Sequence, residues 1–201
     1  MKRSVLIFAK PPLIGLSKTR LARSLGKAEA RRIARMSMAK TLREVSGAIR
    51  WNTVLYSTPD KYLTRGFGGL WPEHLERRSQ GTGDLTARLD KGLLQAPRGH
   101  VLFIGSDAPD VSSALIWKAF ETLKTHDAVF GPASDGGFWL FGMHKRARTL
   151  SPFGNGVRWS GPHALADVKR NLGEDARVAQ LDTLIDIDEA EDWRAWQAKA
   201  L

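Results

Sequence analysis

Apolar runs and amphipathic stretches alternate along the chain, and their alternation predicts its elements. Ser4–Ala9 ("SVLIFA") reads as a buried strand that stops against Lys10, Pro11 and Pro12. Lys27–Ile49 is rich in Ala, Arg, Met and Leu, lacks proline, and reads as a long amphipathic helix. Trp51–Ser57 is a second strand, closed by Thr58, Pro59 and Asp60. Gly66–Pro72 is a loop, and Leu85–Leu94 is helical. A third strand, Val101–Ile104, ends at Gly105, and Ala114–Lys124 is a helix. Ala128–Phe130 and a returning strand, Phe138–Phe141, flank a Gly/Ser/Asp turn. Leu165–Leu172 is helical, "VAQLDTLIDID" holds a short strand or strands, and Glu189–Lys199 closes the chain as a helix.

Strands separated by helices of this length predict βαβ units and an α/β fold with a mainly parallel sheet. Ligands of open α/β sheets bind beyond the carboxyl ends of the strands. That rule gathers three loops at one sheet edge: Lys10–Arg20, Gly105–Asp110 and Gly131–Gly137. No internal repeat, low-complexity tract or interdomain linker interrupts the pattern, and 201 residues suit one domain, 1–201.

Composition narrows the chemistry. The chain has no cysteine, which excludes disulfides and thiolate metal sites and suits a reducing, cytoplasmic setting. The basic start "MKRSVLIFAKPP" resembles the opening of a signal peptide, but its apolar run is too short. No segment approaches the ~20 apolar residues that span a bilayer. A net charge of +10 favours anionic partners. Much of it lies between Lys10 and Arg50, where Glu29 and Glu44 are the sole acids, and a solvated helix face explains most of it.

Several motifs sit where chemistry is expected. In "KPPLIGLSKTRL", Gly15 permits a tight turn, while Lys18 and Arg20 suit phosphate oxygens at a helix start. It is not a Walker A loop, because Leu16 and Ser17 separate Gly15 from Lys18; a basic surface turn is the plain alternative. In "QGTGDLTARL", Gln80 has an amide that can read a base edge, and Gly81 and Gly83 let backbone come close. Asp84 suits the cap of the following helix. Asp107 in "GSDAPD" ends a strand, a usual place for a Mg²⁺ or Mn²⁺ ligand, although an Asx-turn would also explain it. Asp110 reads as the cap of the next helix. Asp135, Gly136 and Gly137 form either a plain hairpin loop or a wall for a hydroxylated ligand. Asp186 and Asp188 end a late strand and suit either a metal or a helix cap. The five histidines are scattered, without HxH or HExxH spacing.

In order, the segments KPPxxGxxKTRL, QGTGDLxxRL, GSDAPD, GPASDGGFWLFG, FGxxxxWS and LIDIDxxEDW resemble a bacterial family of GT-A-type transferases. These are the radical-SAM/selenodomain-associated or arsenosugar-type glycosyltransferases, and the sequence is more distantly similar to phospholactate guanylyltransferase and molybdenum-cofactor nucleotidyltransferases. The resemblance runs from Val5 to Trp193. It implies a nucleotide-diphospho-sugar transferase (GT-A) αβα sandwich. Ala9, Lys10 and Gly15 would line a nucleotide pocket, Lys18 and Arg20 would hold phosphates, and Gln80 and Gly83 would meet the base. Asp107 would bind Mg²⁺ or Mn²⁺, with Asp188, or Asp186 instead, as second ligand. Asp135, Gly136, Gly137, Trp159 and Ser160 would form the sugar or acceptor side. Gly161 stands where the family commonly has Thr, and Val111 where it usually has Leu.

The expected function is metal-dependent transfer from an activated nucleotide, with Asp107, Lys18 and Arg20 as the catalytic group. Glycosyl transfer from an NDP-sugar to a small acceptor leads. Nucleotidyl transfer from an NTP to a phosphorylated molecule, releasing pyrophosphate, is the alternative. Nucleic-acid binding driven by charge is a different class, but no RNP-like, zinc-finger or helix-turn-helix signature accompanies it. A non-catalytic nucleotide-binding protein is the third class, against which Asp107 and Asp188 both stand.

Overall fold

The computed structural model describes residues 1–154 and 156–199. Seven strands form one sheet: β1 Arg3–Ala9, β2 Asn52–Ser57, β3 Glu76–Ser79, β4 Gly99–Ile104, β5 Ala128–Pro132, β6 Phe138–Lys145 and β7 Val178–Gln180. Their spatial order is β3-β2-β1-β4-β6-β5-β7. β6 alone runs antiparallel to its neighbours; the other pairings are parallel. Among the described residues there are six α-helices: α1 Thr19–Leu25, α2 Lys27–Ser46, α3 Leu85–Gln95, α4 Ser113–Thr122, α5 Ala164–Asn171 and α6 Ala190–Lys199. None is long and apolar enough to cross a membrane among the described residues.

The period of two along the strands sends alternate residues to opposite faces. Val5, Ile7 and Ala9 of β1 pack with Leu102 and Ile104 of β4 against α2 and α4, through Met38, Leu42, Ile116 and Phe120. Leu6, Val101 and Phe103 turn the other way and meet Leu89 and Leu93 of α3 and Val168 of α5. Apolar residues on both faces produced the near-continuous hydrophobic runs of the sequence. The result is an αβα sandwich on a mainly parallel sheet, as expected. A third apolar cluster joins Leu21, Ile33, Ile187 and Trp193, fastening α1 and α6 to α2.

Two elements went unanticipated. β3 reads Glu-Arg-Arg-Ser and lacks the alternation that marks a buried strand, because it lies at the sheet edge. Its Arg77 donates to the carbonyls of Leu63, Arg65, Trp71 and Pro72, and so organises the preceding loop. α1 is a seven-residue helix that buries only Leu21, too little apolar surface to register as periodicity. The basic face of α2 is also less purely solvated than expected. Arg32 and Lys40 lie over the rings of Trp193 and Trp196, and Arg35 donates to the carbonyl of Phe67.

Asp84 caps α3 by accepting from the Ala87 amide. Asp110 does not cap α4. Ser112 does, accepting from Leu115 N, while the Asp110 carboxylate accepts from Trp196 Nε1 at 2.8 Å and holds α6.

Candidate active site

The loops after β1, β4 and β5 open at the same sheet edge, and two clefts lie between them. The first, of about 500 Å³, is lined by residues that include Ala9, Lys10, Lys18, Arg20, Gln80, Gly83, Arg88, Asp107 and Asp188. The second, of about 270 Å³, includes Phe8, Arg20, Asp135, Gly137, Phe138, Trp159, Ser160, Asp186 and Asp188. Arg20, Ser160 and Asp188 border both.

Three carboxylates stand where the clefts meet. Asp107, Asp186 and Asp188 each offer an oxygen within 4.8 Å of the others. Their approach follows from the backbone: Ile187 N donates to Asp107 O at 3.1 Å, stitching the final extended segment to the β4 loop. Asp192 accepts from the amides of Asp188 and Glu189, fixing the turn into α6. Neither Asp186 nor Asp188 therefore serves as the helix cap. Residues 186 and 188 share a side of an extended segment, so both members of the pair reach the cluster.

Lys18 enters this cluster. Only 3% of its side chain is exposed, and Nζ lies 2.9 Å from Asp107 Oδ1 and 2.8 Å from Asp188 Oδ1. Burial alone would lower its pKa, but Asp107, Asp186 and Asp188 outweigh that effect and hold the ammonium charged. Its backbone is left-handed, with φ 51°, and this turns the chain from the β1 loop into α1. Arg20 completes the array, with Nη2 2.5 Å from Asp188 Oδ2 and Nη1 3.2 Å from Glu189. Burial raises the Asp188 pKa; Lys18 and then Arg20 more than offset it, leaving the group below the ordinary carboxylate range. Both cations expected to face phosphate are thus engaged with carboxylates here, because the clustered negative charge must be neutralised.

Asp186 is different. Its carboxyl is pushed up to about 8, by burial first and then by the facing Asp107. Its Oδ1 is buried without a hydrogen-bond partner. Such an oxygen beside two other carboxylates fits a hard divalent cation, whose preferred ligands are oxygens.

The remaining predicted residues divide. Ala9, Lys10 and Gly83 line the first cleft; Gly15 does not, and its φ of +82° serves the turn instead. Gln80 lines it too, but its amide is occupied. Nε2 donates to the carbonyls of Ala9 and Tyr56, and Oε1 accepts from Arg88. The side chain braces β1 against β2 rather than offering a free edge to a base. Arg88 itself was missed. It lies on α3, where the sequence shows only one more helical cation, yet it lines the first cleft.

Around the second cleft, Asp135 Oδ1 accepts from Gly137 N at 2.9 Å, and Gly137 lines the wall. Gly136 packs behind it: a β-carbon there would lie 2.5 Å from the carbonyl oxygen of Pro162. Trp159 donates through Nε1 to Thr86 Oγ1 at 2.8 Å, which gives the late Trp-Ser motif a physical role in fixing the indole. Ser160, with φ 60°, forms the rim shared by the clefts. Behind them the buried carboxylate of Asp167 accepts from Arg158 N, Nε and Nη2 and from Arg170 Nη1, holding the loop to α5.

Comparison with solved structures places this architecture. A protein of Desulfovibrio desulfuricans G20, proposed to be a nucleotide-diphospho-sugar transferase, is 27% identical with a TM-score of 0.86 over 98% of this chain and 87% of its own. The 4-diphosphocytidyl-2C-methyl-D-erythritol synthase of Anaerococcus prevotii DSM 20548 is 13% identical, with a TM-score of 0.62 over 99% and 98% of the two chains. Rv0371c of Mycobacterium tuberculosis H37Rv, in a complex with manganese, is 14% identical, with a TM-score of 0.57 over 97% of each chain. These likenesses show the fold: an α/β sandwich like those of nucleotide-diphospho-sugar transferases. No curated protein matches the sequence. A family pattern matches residues 41–161, from within α2 to one residue past Ser160, and the chain therefore belongs to the DUF2064 family, described as uncharacterized proteins conserved in bacteria.

Proposed function

We propose that this chain is a metal-dependent transferase that uses an activated nucleotide and works as one domain. The observation that carries the reading is the carboxylate trio of Asp107, Asp186 and Asp188 at the junction of two clefts of unlike lining. A donor in the first cleft and an acceptor in the second would meet at that junction. The name given to the Desulfovibrio protein and the manganese in the Rv0371c structure lend support.

In this reading Asp107, Asp186 and Asp188 would hold Mg²⁺ or Mn²⁺, whose charge would neutralise that of the donor phosphates. Lys10 and Arg88 line the nucleotide side and attract the phosphates, and Arg20 borders it in its pairs with Asp188 and Glu189. Ala9 and Gly83 shape its wall, and Lys18 supplies a fixed charge at the junction. Asp135, Gly137, Trp159 and Ser160 position the second substrate, with Gly136 supporting their loop. Glycosyl transfer is the leading reaction. A hydroxyl of the acceptor forms a bond to the anomeric carbon, the anomeric C–O bond to phosphate breaks, and the nucleoside diphosphate leaves with the electron pair. The hydroxyl proton passes to a carboxylate of the second cleft, and Asp135 forms no ion pair among the described residues.

Nucleotidyl transfer is the second reading, and the cations lining the first cleft favour it, because they suit a triphosphate. The two are separated by product. Release of nucleoside diphosphate from an NDP-sugar with Mn²⁺ supports the first; pyrophosphate from an NTP supports the second. Asp107→Ala abolishes either. Absence of both products with every common nucleotide and Mn²⁺ overturns the transferase reading.

A further inference from the structure

We infer that the second cleft takes an uncharged or cationic molecule with a flat apolar face and hydroxyl or amine groups, and turns away phosphorylated and carboxylate-bearing ones. The inference rests on the transferase reading for the cleft's role, since it takes this cleft as the acceptor side.

The charge of the lining changes between the two clefts. The first is lined by four cations, Lys10, Lys18, Arg20 and Arg88, against three carboxylates, Asp84, Asp107 and Asp188. The second is lined by Asp135, Asp186 and Asp188, with Arg20 the one cation among its described lining residues. Arg20 is committed to Asp188 and Glu189 through both Nη atoms. A phosphate brought into the second cleft would therefore find like charge and, among the described residues, no unpaired side-chain cation to answer it. A divalent ion on the trio, together with the Lys18 ammonium, offsets Asp107, Asp186 and Asp188 but leaves Asp135. That carboxylate bonds only to Gly137 N among the described residues, through Oδ1. It suits an ammonium or hydroxyl donor from a ligand.

The walls supply the second half of the recognition. Phe8, Phe138 and Trp159 are half-buried at the cleft, and the Phe138 and Trp159 rings lie 6.2 Å apart at 65°. The bond from Trp159 Nε1 to Thr86 leaves the indole face, not its N–H, for a ligand. Aromatic faces stack on rings and attract cations. A cavity of about 270 Å³ admits roughly one ring-sized group.

The test uses the whole chain and two matched series: glucose, glucosamine and glucose 6-phosphate, then benzyl alcohol, benzylamine and phenyl phosphate. Affinities are read by ligand-observed NMR titration with Mn²⁺, with and without a saturating nucleotide chosen by thermal shift. Neutral or amino members should bind at least about tenfold more tightly than their phosphorylated counterparts. Asp135→Asn should narrow that margin and Asp135→Lys reverse it, with folding of each checked by circular dichroism. Equal or tighter binding of the phosphorylated members overturns the inference. So does failure of every neutral and amino member to bind. A chain stabilised by no nucleotide loses the transferase reading instead, while the nucleotide-free arm still measures the charge preference.

Discussion

The Lys18 ammonium lies 2.9 Å from an Asp107 carboxylate oxygen, with only 3% of the lysine side chain exposed. It also bonds Asp188, so one buried cation holds two of three clustered carboxylates together. An ammonium in this position neutralises the same oxygens that would ligate a divalent ion. Lys18→Met leaves the carboxylates facing one another without that charge. Loss of hydrogen bonds to charged partners costs roughly 1–3 kcal/mol, which lowers Tm by about 2–4 °C per kcal/mol in a chain of this size. The variant should melt several degrees below the native chain in EDTA and gain more from Mn²⁺ than the native chain does. Equal melting in EDTA would mean that the ammonium has no structural part in the cluster.

Gln80 separates a brace from a base reader. Its Nε2 bonds two main-chain carbonyls, of Ala9 and Tyr56, in a buried setting. Gln80→Ala leaves both acceptors without that donor, at a cost of roughly 1–3 kcal/mol. The loss should be visible in urea denaturation with no nucleotide present. A variant of native stability that loses nucleotide affinity would instead return Gln80 to the base.

The contrast shows what a sequence exposes. Strand ends were legible because both faces of the sheet are covered, and apolar runs such as Val5–Ala9 stop where the chain leaves the core. In an open α/β sheet those ends also mark the edge where the clefts open, so Lys10, Asp107 and Asp135 could be placed at that edge from the sequence. Partner choice was not legible. Lys18 and Asp188 are 170 residues apart, and nothing local tells a phosphate-binding lysine from one that pairs with carboxylates. Gln80 misled in the same way, since a side chain flanked by glycines gives no sign that its amide turns inward. Edge strand β3 and short α1 failed because each buries too little apolar surface to leave a periodic trace.

Asp167 supplies a pH dependence. Bonds from the Arg158 side chain and main chain, together with Arg170, hold its carboxyl far below the usual carboxylate range. A depressed pKa means that the folded state binds the proton less readily than the unfolded chain. The stabilising effect is therefore complete above the unfolded value of about 4 and fades as the pH falls below it. Asp167→Asn should melt below the native chain at pH 7, and the gap should shrink below pH ~4. Because Arg158 precedes Trp159, the variant should also weaken binding at the second cleft more than nucleotide binding at the first. A gap independent of pH would exclude the ionised clamp.

Gly136 tests the support of that cleft from behind. Its φ of +85° is a left-handed conformation that side chains adopt at a cost, and a β-carbon would lie 2.5 Å from Pro162 O and 2.6 Å from Pro162 Cα. These are backbone atoms, so no rotamer change relieves the overlap. Gly136→Ala must move the Asp135 loop away from the segment after Ser160, which separates the acid of the cleft from its aromatic wall. The strained conformation alone costs of order 1–3 kcal/mol. Activity should fall through a raised KM for the second substrate, with the nucleotide Kd, measured by calorimetry, within about twofold of native. Gly137→Ala is the matched comparison. Its φ is not left-handed, and its nearest neighbour is Asp135 Oδ1 at 3.0 Å, a side-chain atom that can shift. The milder variant should melt closer to the native chain. If both variants melt alike and leave the KM unchanged, the contact between the loops has no part in holding the second substrate.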